Sequence, residues 1–252
     1  MKKYVNLFVF VFMIGACLSQ GRAQTKSAVS YKNPVVDIAM PDPTVIKAAD
    51  GYFYVYATES TRNVPIMKSK DLVEWTYCNT AFTNKTRPRF EPKAGIWAPD
   101  INYINGKYVL YYAMSVWGGE QTCGIGVATA NSPQGPFTDH GKMFRSNEIG
   151  VQNSIDPSLL QYEGRNYLVW GSFRGIYVIE LTADGLSIMS GAKKKRIAGT
   201  AFEAVYIHKH GDYYYMFASI GSCCQGVKST YKVVVGRSKK VWGPVSYTHL
   251  RA

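Results

Sequence analysis

One hairpin design occurs four times along this chain, and that repetition restricts the fold more than any other feature. Asp42-Pro-Thr-Val-Ile leads through Asp50-Gly51 to YFYVYATES. Trp97-Ala-Pro-Asp-Ile-Asn-Tyr leads through Asn105-Gly106 to KYVLYYAMS. Asp156-Pro-Ser-Leu-Leu leads through Glu163-Gly164 to RNYLVWGSF, and Glu203-Ala-Val-Tyr-Ile leads through His210-Gly211 to DYYYMFASI. Asp-Gly and Asn-Gly turns supply the positive φ that tight hairpins need. The Tyr-, Val- and Phe-rich runs after them suit pleated, buried strands.

The turn glycines stand 55, 58 and 47 residues apart. A third strand follows each hairpin, beginning near Val64, Gly124, Gly175 and Lys232. An outer apolar piece follows that, marked by Trp75, Phe137, Ile188 and Trp242. Four strands per unit of about fifty residues is the pattern of a β-propeller blade. A two-sheet sandwich requires no such phasing. The reading is all-β, with about four blades present, and no amphipathic helix of useful length. After Gly243-Pro244 the tail VSYTHLRA carries no turn, acid or hairpin, so the expectation is a chain that stops where another blade would begin, or a fragment.

The N-terminus sets the compartment. Lys2 and Lys3 precede an apolar run from Tyr4 to Cys17, as in a secretory signal, and the run is too short to span a bilayer. Gly21-Arg22-Ala23 suits cleavage after Ala23, giving a signal peptide over 1–23 and a propeller domain over 24–252. Ile14-Gly15-Ala16-Cys17 resembles a lipobox and offers Cys17 as an alternative lipid anchor. Either route places the protein outside the cytoplasm: secreted, periplasmic or on the cell surface.

The formal charge is +12, and loss of residues 1–23 removes Lys2, Lys3 and Arg22 but no acid, leaving +9. For an exported protein a basic surface suits an acidic polysaccharide or envelope rather than nucleic acid. The densest run, Lys193-Lys194-Lys195-Arg196, reads as a solvated loop. Cys78, Cys123, Cys223 and Cys224 remain after cleavage, without zinc-type spacing. The adjacent Cys223-Cys224 pair is either a vicinal disulfide or two reduced, buried thiols.

In a propeller the first strands of all blades run beside one central channel, so their leading residues converge. Asp42, Asp100, Asp156 and Glu203 fall at nearly one phase of the repeat. A lone Asp-Pro is best read as a turn cap. Several acids converging on one place meet the requirement of glycoside hydrolysis, in which one carboxylate activates water and a carboxylic acid protonates the leaving oxygen.

The stretches PDPTVI, WAPDINYINGKYVLYYA, NSIDPSLL, YLVWGSFRGIYVIEL, FEAVYIHKHGDYYYMFAS and SCCQGVKSTYKVVVGRS together resemble glycoside hydrolase family 43, over about residues 33–244. The likeness is greatest to its endo-α-1,5-L-arabinanases. It implies a five-bladed propeller and hydrolysis of arabinan, a pectin side chain, with inversion. Carried over by motif, Asp42 is the general base, Asp156 tunes pKa and orients, and Glu203 is the general acid. Asp100 is assigned a structural or binding role. Trp97, Asn153 and Ser172 adjoin these motifs and are expected to line the sugar subsite, with a place in the core as the alternative for Trp97. Family arabinanases often carry His directly before the first acid, where this chain has Met40-Pro41. The resemblance also allows a calcium ion, for which no residue here is assigned; His208 and His210 read as ordinary polar residues.

Two other activities share these features. An exo-acting α-L-arabinofuranosidase or β-xylosidase, the latter acting on arabinoxylan, would use the same acids with different loops. A sugar-binding propeller without turnover would need no matched acids.

Overall fold

The computed structural model describes residues 30–243 and the backbone of Ser246 and Tyr247. The signal-peptide and lipobox expectations therefore lie outside the described residues. The strands all belong to one compact unit, Asn33–Ala252.

Four separate four-stranded antiparallel sheets follow one another along the chain. Blade one comprises β1 (Thr44–Lys47), β2 (Phe53–Tyr56), β3 (Pro65–Ser69) and β4 (Trp75–Thr80). Blade two comprises β5 (Gly95–Ile104), β6 (Lys107–Ser115), β7 (Gly124–Ala130) and β8 (Thr138–Arg145). A four-residue helix, α1 (Ser146–Ile149), precedes blade three: β9 (Ser158–Tyr162), β10 (Arg165–Trp170), β11 (Ile176–Leu181) and β12 (Lys195–Ala198). Blade four is β13 (Glu203–His210), β14 (Tyr213–Ile220), β15 (Lys232–Ser238) and β16 (Ser246–Tyr247). Each sheet is a simple meander, so the propeller reading holds and the sandwich does not. In the second and third hairpins both turn residues have positive φ, Asn105 and Gly106 at 48° and 83°, Glu163 and Gly164 at 50° and 73°. Such turns match the twist of the strands they join.

Packing follows from the two-residue period of a strand. Leu110 and Tyr112 of β6 point into a core shared with Tyr54, Tyr56 and Ile66 of blade one. Val109 and Tyr111 point the other way, into a core with Leu168 and Trp170 of β10. Val169, between those two, faces a third core with Val205, Ile207 and Met216 of blade four. Four sheets thus enclose three apolar layers, and the central parts of β6 (Tyr108–Met114) and β10 (Tyr167–Trp170) carry apolar and aromatic residues on both faces because both faces are covered.

Side chains also link the innermost strands. Ile101 N–H donates to Thr44 Oγ1 at 3.3 Å, Leu159 N–H to Asp100 Oδ2 at 2.8 Å, and Ser158 Oγ to the Val205 carbonyl at 2.6 Å. These bonds join blade one to two, two to three, and three to four.

Three sequence expectations change, since of the four outer markers only Trp75 lies within its strand; Phe137 stands one residue before β8. The outer strand of blade three is Lys195–Ala198, whereas Ile188 makes only an isolated bridge to Leu181. Half of the basic run is therefore an edge strand with Lys195 and Arg196 exposed, and charge at an edge discourages pairing with other chains. In blade four the outer strand follows Trp242 rather than containing it.

Candidate active site

At or near the head of each inner strand stands a residue in the left-handed region: Asp42 (φ 50°) and Asp156 (58°) just before β1 and β9, Ala98 (34°) and Ala204 (51°) within β5 and β13. This conformation costs a non-glycine residue on the order of 1 kcal/mol or more, so its recurrence marks a geometry that the fold enforces. The four positions surround a channel of about 410 Å³, together with Asp100 and Tyr206.

That register corrects the expected phase. Asp42 and Asp156 are equivalent, but their counterparts in blades two and four are Ala98 and Ala204. Asp100 lies two residues further along its strand, level with Thr44, which donates to it across the blade boundary at 3.4 Å. Glu203 lies one residue before the kink. Bulges between Trp97 and Asp100 and between Glu203 and Tyr206 account for the offsets. Such bulges re-aim side chains near a site.

Asp42, Asp156 and Glu203 nevertheless form one electrostatic group. Burial holds the Asp156 carboxyl well above the usual carboxylate range, and the Glu203 and Asp42 charges push it further, against a hydrogen bond from the Ala204 N–H. Asp42 is exposed to the channel, and Glu203 is only 9% exposed. An ionised and a protonated carboxyl side by side are what like-charge coupling in a buried site produces.

Asp100 is a separate case. Burial raises it to about 6, although Asn102 Nδ2 at 2.7 Å, Leu159 N–H and Thr44 Oγ1 all donate to it. Its hydrogen bonds tie three blades together.

Two hydroxyls hold the outer acids. Ser172 Oγ donates to Glu203 Oε2 at 2.6 Å and itself accepts from Asn153 Nδ2 at 2.9 Å. Thr58 Oγ1 donates to Asp42 Oδ2 at 2.5 Å and accepts from the Ala98 N–H at 2.6 Å. The Tyr231 phenol faces Ser219 and Glu203. Of the expected sugar-lining residues, Asn153 and Ser172 therefore converge on Glu203. Trp97, half-buried against Ala113, Cys123 and Ile155, stands edge-on to Trp117 at 6.0 Å, and Trp117 is 78% exposed. Thr58 and Tyr231 lie within the quoted stretches and Trp117 just beyond one, but none stands out in the sequence, because hydroxyls and aromatics at strand ends and in loops carry no periodic signal.

Cys223 and Cys224 are joined as a vicinal disulfide on an exposed loop, which removes the alternative of two buried thiols. Among the described residues no three His, Cys, Asp or Glu side chains converge as metal ligands, and His208 and His210 are exposed on β13. Among the described residues the carboxylate and imidazole donors therefore do not assemble a calcium site.

The family model of Glycosyl hydrolases family 43 matches residues 31–251. An extracellular endo-alpha-(1->5)-L-arabinanase of Bacillus subtilis is 38% identical over 81% of this chain and 66% of its own length. An extracellular exo-alpha-(1->5)-L-arabinofuranosidase of Cellvibrio japonicus is 36% identical over 81% of the chain and 65% of its own length. The chain thus spans just under two thirds of these relatives. A Cellvibrio cellulosa alpha-L-arabinanase solved with arabinohexaose superposes with a TM-score of 0.73 at 31% identity, covering 82% of this chain and 73% of that one.

Proposed function

This chain belongs to glycosyl hydrolase family 43, and we propose that it hydrolyses the α-1,5 bonds of L-arabinan outside the cytoplasm, with inversion at the anomeric carbon. The observation that carries the reading is the coupled group Asp42, Asp156 and Glu203: Asp42 and Asp156 line the channel, and burial with the Glu203 and Asp42 charges pushes the Asp156 carboxyl toward its protonated form.

Asp42, exposed to the channel, is the general base. It takes a proton from water as the water oxygen bonds to the anomeric carbon. Glu203 gives a proton to the departing glycosidic oxygen as the old bond breaks. Asp156 couples the two charges. Asn153 and Ser172 serve the subsite by orienting Glu203, and Trp97 with Trp117 offers an aromatic wall to a sugar ring. Export by a signal over residues 1–23 agrees with the extracellular relatives, with a lipid on Cys17 as the alternative.

Replacement Glu203→Gln tests the reading, because an amide cannot donate the proton. Turnover of linear arabinan should fall at least about 100-fold with oligosaccharide binding retained, the usual range for acid–base catalysis. Activity above about a tenth of wild type would remove Glu203 from that role. An exo-acting reading is favoured by the Cellvibrio japonicus relative. Oligomers among the early products indicate internal cleavage, and monomer alone indicates release from chain ends.

A further inference from the structure

We infer that Thr58, just past the end of β2 in the same blade as Asp42, is a positioning residue for the general base, itself fixed by the Ala98 N–H of the adjacent blade; this rests on the role proposed for Asp42. A threonine hydroxyl has one proton and two acceptor lone pairs. The Ala98 N–H points at Thr58 Oγ1 from 2.6 Å and occupies one lone pair. The hydroxyl proton is directed to Asp42 Oδ2, 2.5 Å away. One oxygen of the base is thereby held, and the other is left for water.

The support behind Thr58 is rigid. Its own N–H donates to the Pro41 carbonyl at 2.9 Å, which fixes the backbone entering Asp42. The next residue, Glu59, accepts from the Ile96 N–H at 2.9 Å and the Asn63 N–H at 2.8 Å, and forms a mostly buried ion pair with Arg87. Burial opposes ionisation of Glu59, but the Arg87, Asn63 and Ile96 hydrogen bonds outweigh it and hold the carboxyl below its ordinary value. Segment 58–59 is in this way bound to segment 96–98 of blade two, whose left-handed Ala98 turns its N–H toward Thr58. The base is thus tied to the neighbouring blade through one hydroxyl.

Thr58→Val keeps the shape and removes the hydroxyl; Thr58→Ser keeps the hydroxyl. On linear arabino-oligosaccharides Thr58→Val should lower kcat about 10- to 100-fold with KM within about two-fold, the scale of misorienting a reacting group. Thr58→Ser should return kcat to within about three-fold of wild type, a rescue that a purely structural role would not produce. Asp42→Asn is measured beside them. If Asp42→Asn is inactive while Thr58→Val keeps wild-type kcat, the positioning role is overturned and the functional reading stands. If Asp42→Asn retains activity, the functional reading itself fails. Should Thr58→Val not fold, Thr58→Ala is compared with Thr58→Ser, since both lose the methyl and only one loses the hydroxyl. Equal kcat in that pair overturns the inference.

Discussion

Ser172 and Glu203 lie in adjacent blades, 31 residues apart in sequence, and are joined by a buried hydrogen bond of 2.6 Å between Oγ and Oε2. Because Asn153 donates to the same serine oxygen, the hydroxyl proton is committed to Glu203. The proton that Glu203 delivers to a leaving group is then carried on its other oxygen, Oε1.

Ser172→Ala removes this constraint and strands the Asn153 amide. Ser172 is only 2% exposed, so a stability loss of about 1–3 kcal/mol accompanies the change. Steady-state kinetics should show kcat falling more than about ten-fold. An unchanged kcat in a folded Ser172→Ala protein would mean that Glu203 needs no such orientation.

Asp156→Asn tests the coupling. The alkaline limb of kcat/KM reports removal of the last proton from the Asp156–Glu203 pair, a step opposed by like charge. With one carboxyl gone that opposition disappears, so the limb should move to lower pH. If Asp156 were only a turn cap, thermal stability would fall and the limb would stay in place.

The repeat was legible because its signals are local: turn glycines, aromatic runs and Asp-Pro pairs sit within a few residues of one another. The outer strand of blade three was not, since Lys195 and Arg196 face solvent at an edge and carry no apolar period. Asp100 was placed at the wrong phase because a bulge changes register without changing residue spacing. The correct alignment was nonetheless written in Ala98-Pro99, which matches Asp42-Pro43 and Asp156-Pro157. Thr58 reaches Asp42 from beyond the next strand of the same blade, and Ser172 reaches Glu203 from the preceding blade; only the folded arrangement makes these pairs.

Asp100 should reveal itself through stability. Its folded value of about 6 lies above that of an unfolded aspartate, about 3.9, so the native state holds a proton over this window that the unfolded chain has lost. Stability therefore falls as pH rises from about 4 to about 6, by on the order of 3 kcal/mol. In Asp100→Asn one amide oxygen can accept from Asn102 and Leu159 while the amide nitrogen faces Thr44. Thermal melts across this range should show the variant gaining on wild type as pH rises. A constant difference between the two would contradict the assignment.

Trp117→Ala probes the aromatic wall. The side chain is mostly solvent-exposed, so its loss should leave the melting temperature nearly unchanged. KM for arabino-oligosaccharides should rise about three- to ten-fold with kcat retained, the scale of one aromatic contact. Unaltered KM across the oligosaccharide series would exclude Trp117 from the subsite.

The most direct measurement is proton NMR of a linear α-1,5-arabino-oligosaccharide followed from the first turnover. The arrangement of Asp42, Asp156 and Glu203 predicts cleavage whose first product carries the β-anomeric signal, with the α form growing in only by mutarotation. A first product with the α signal would mean that a carboxylate had attacked the sugar, and absence of any cleavage would contradict arabinan hydrolysis outright.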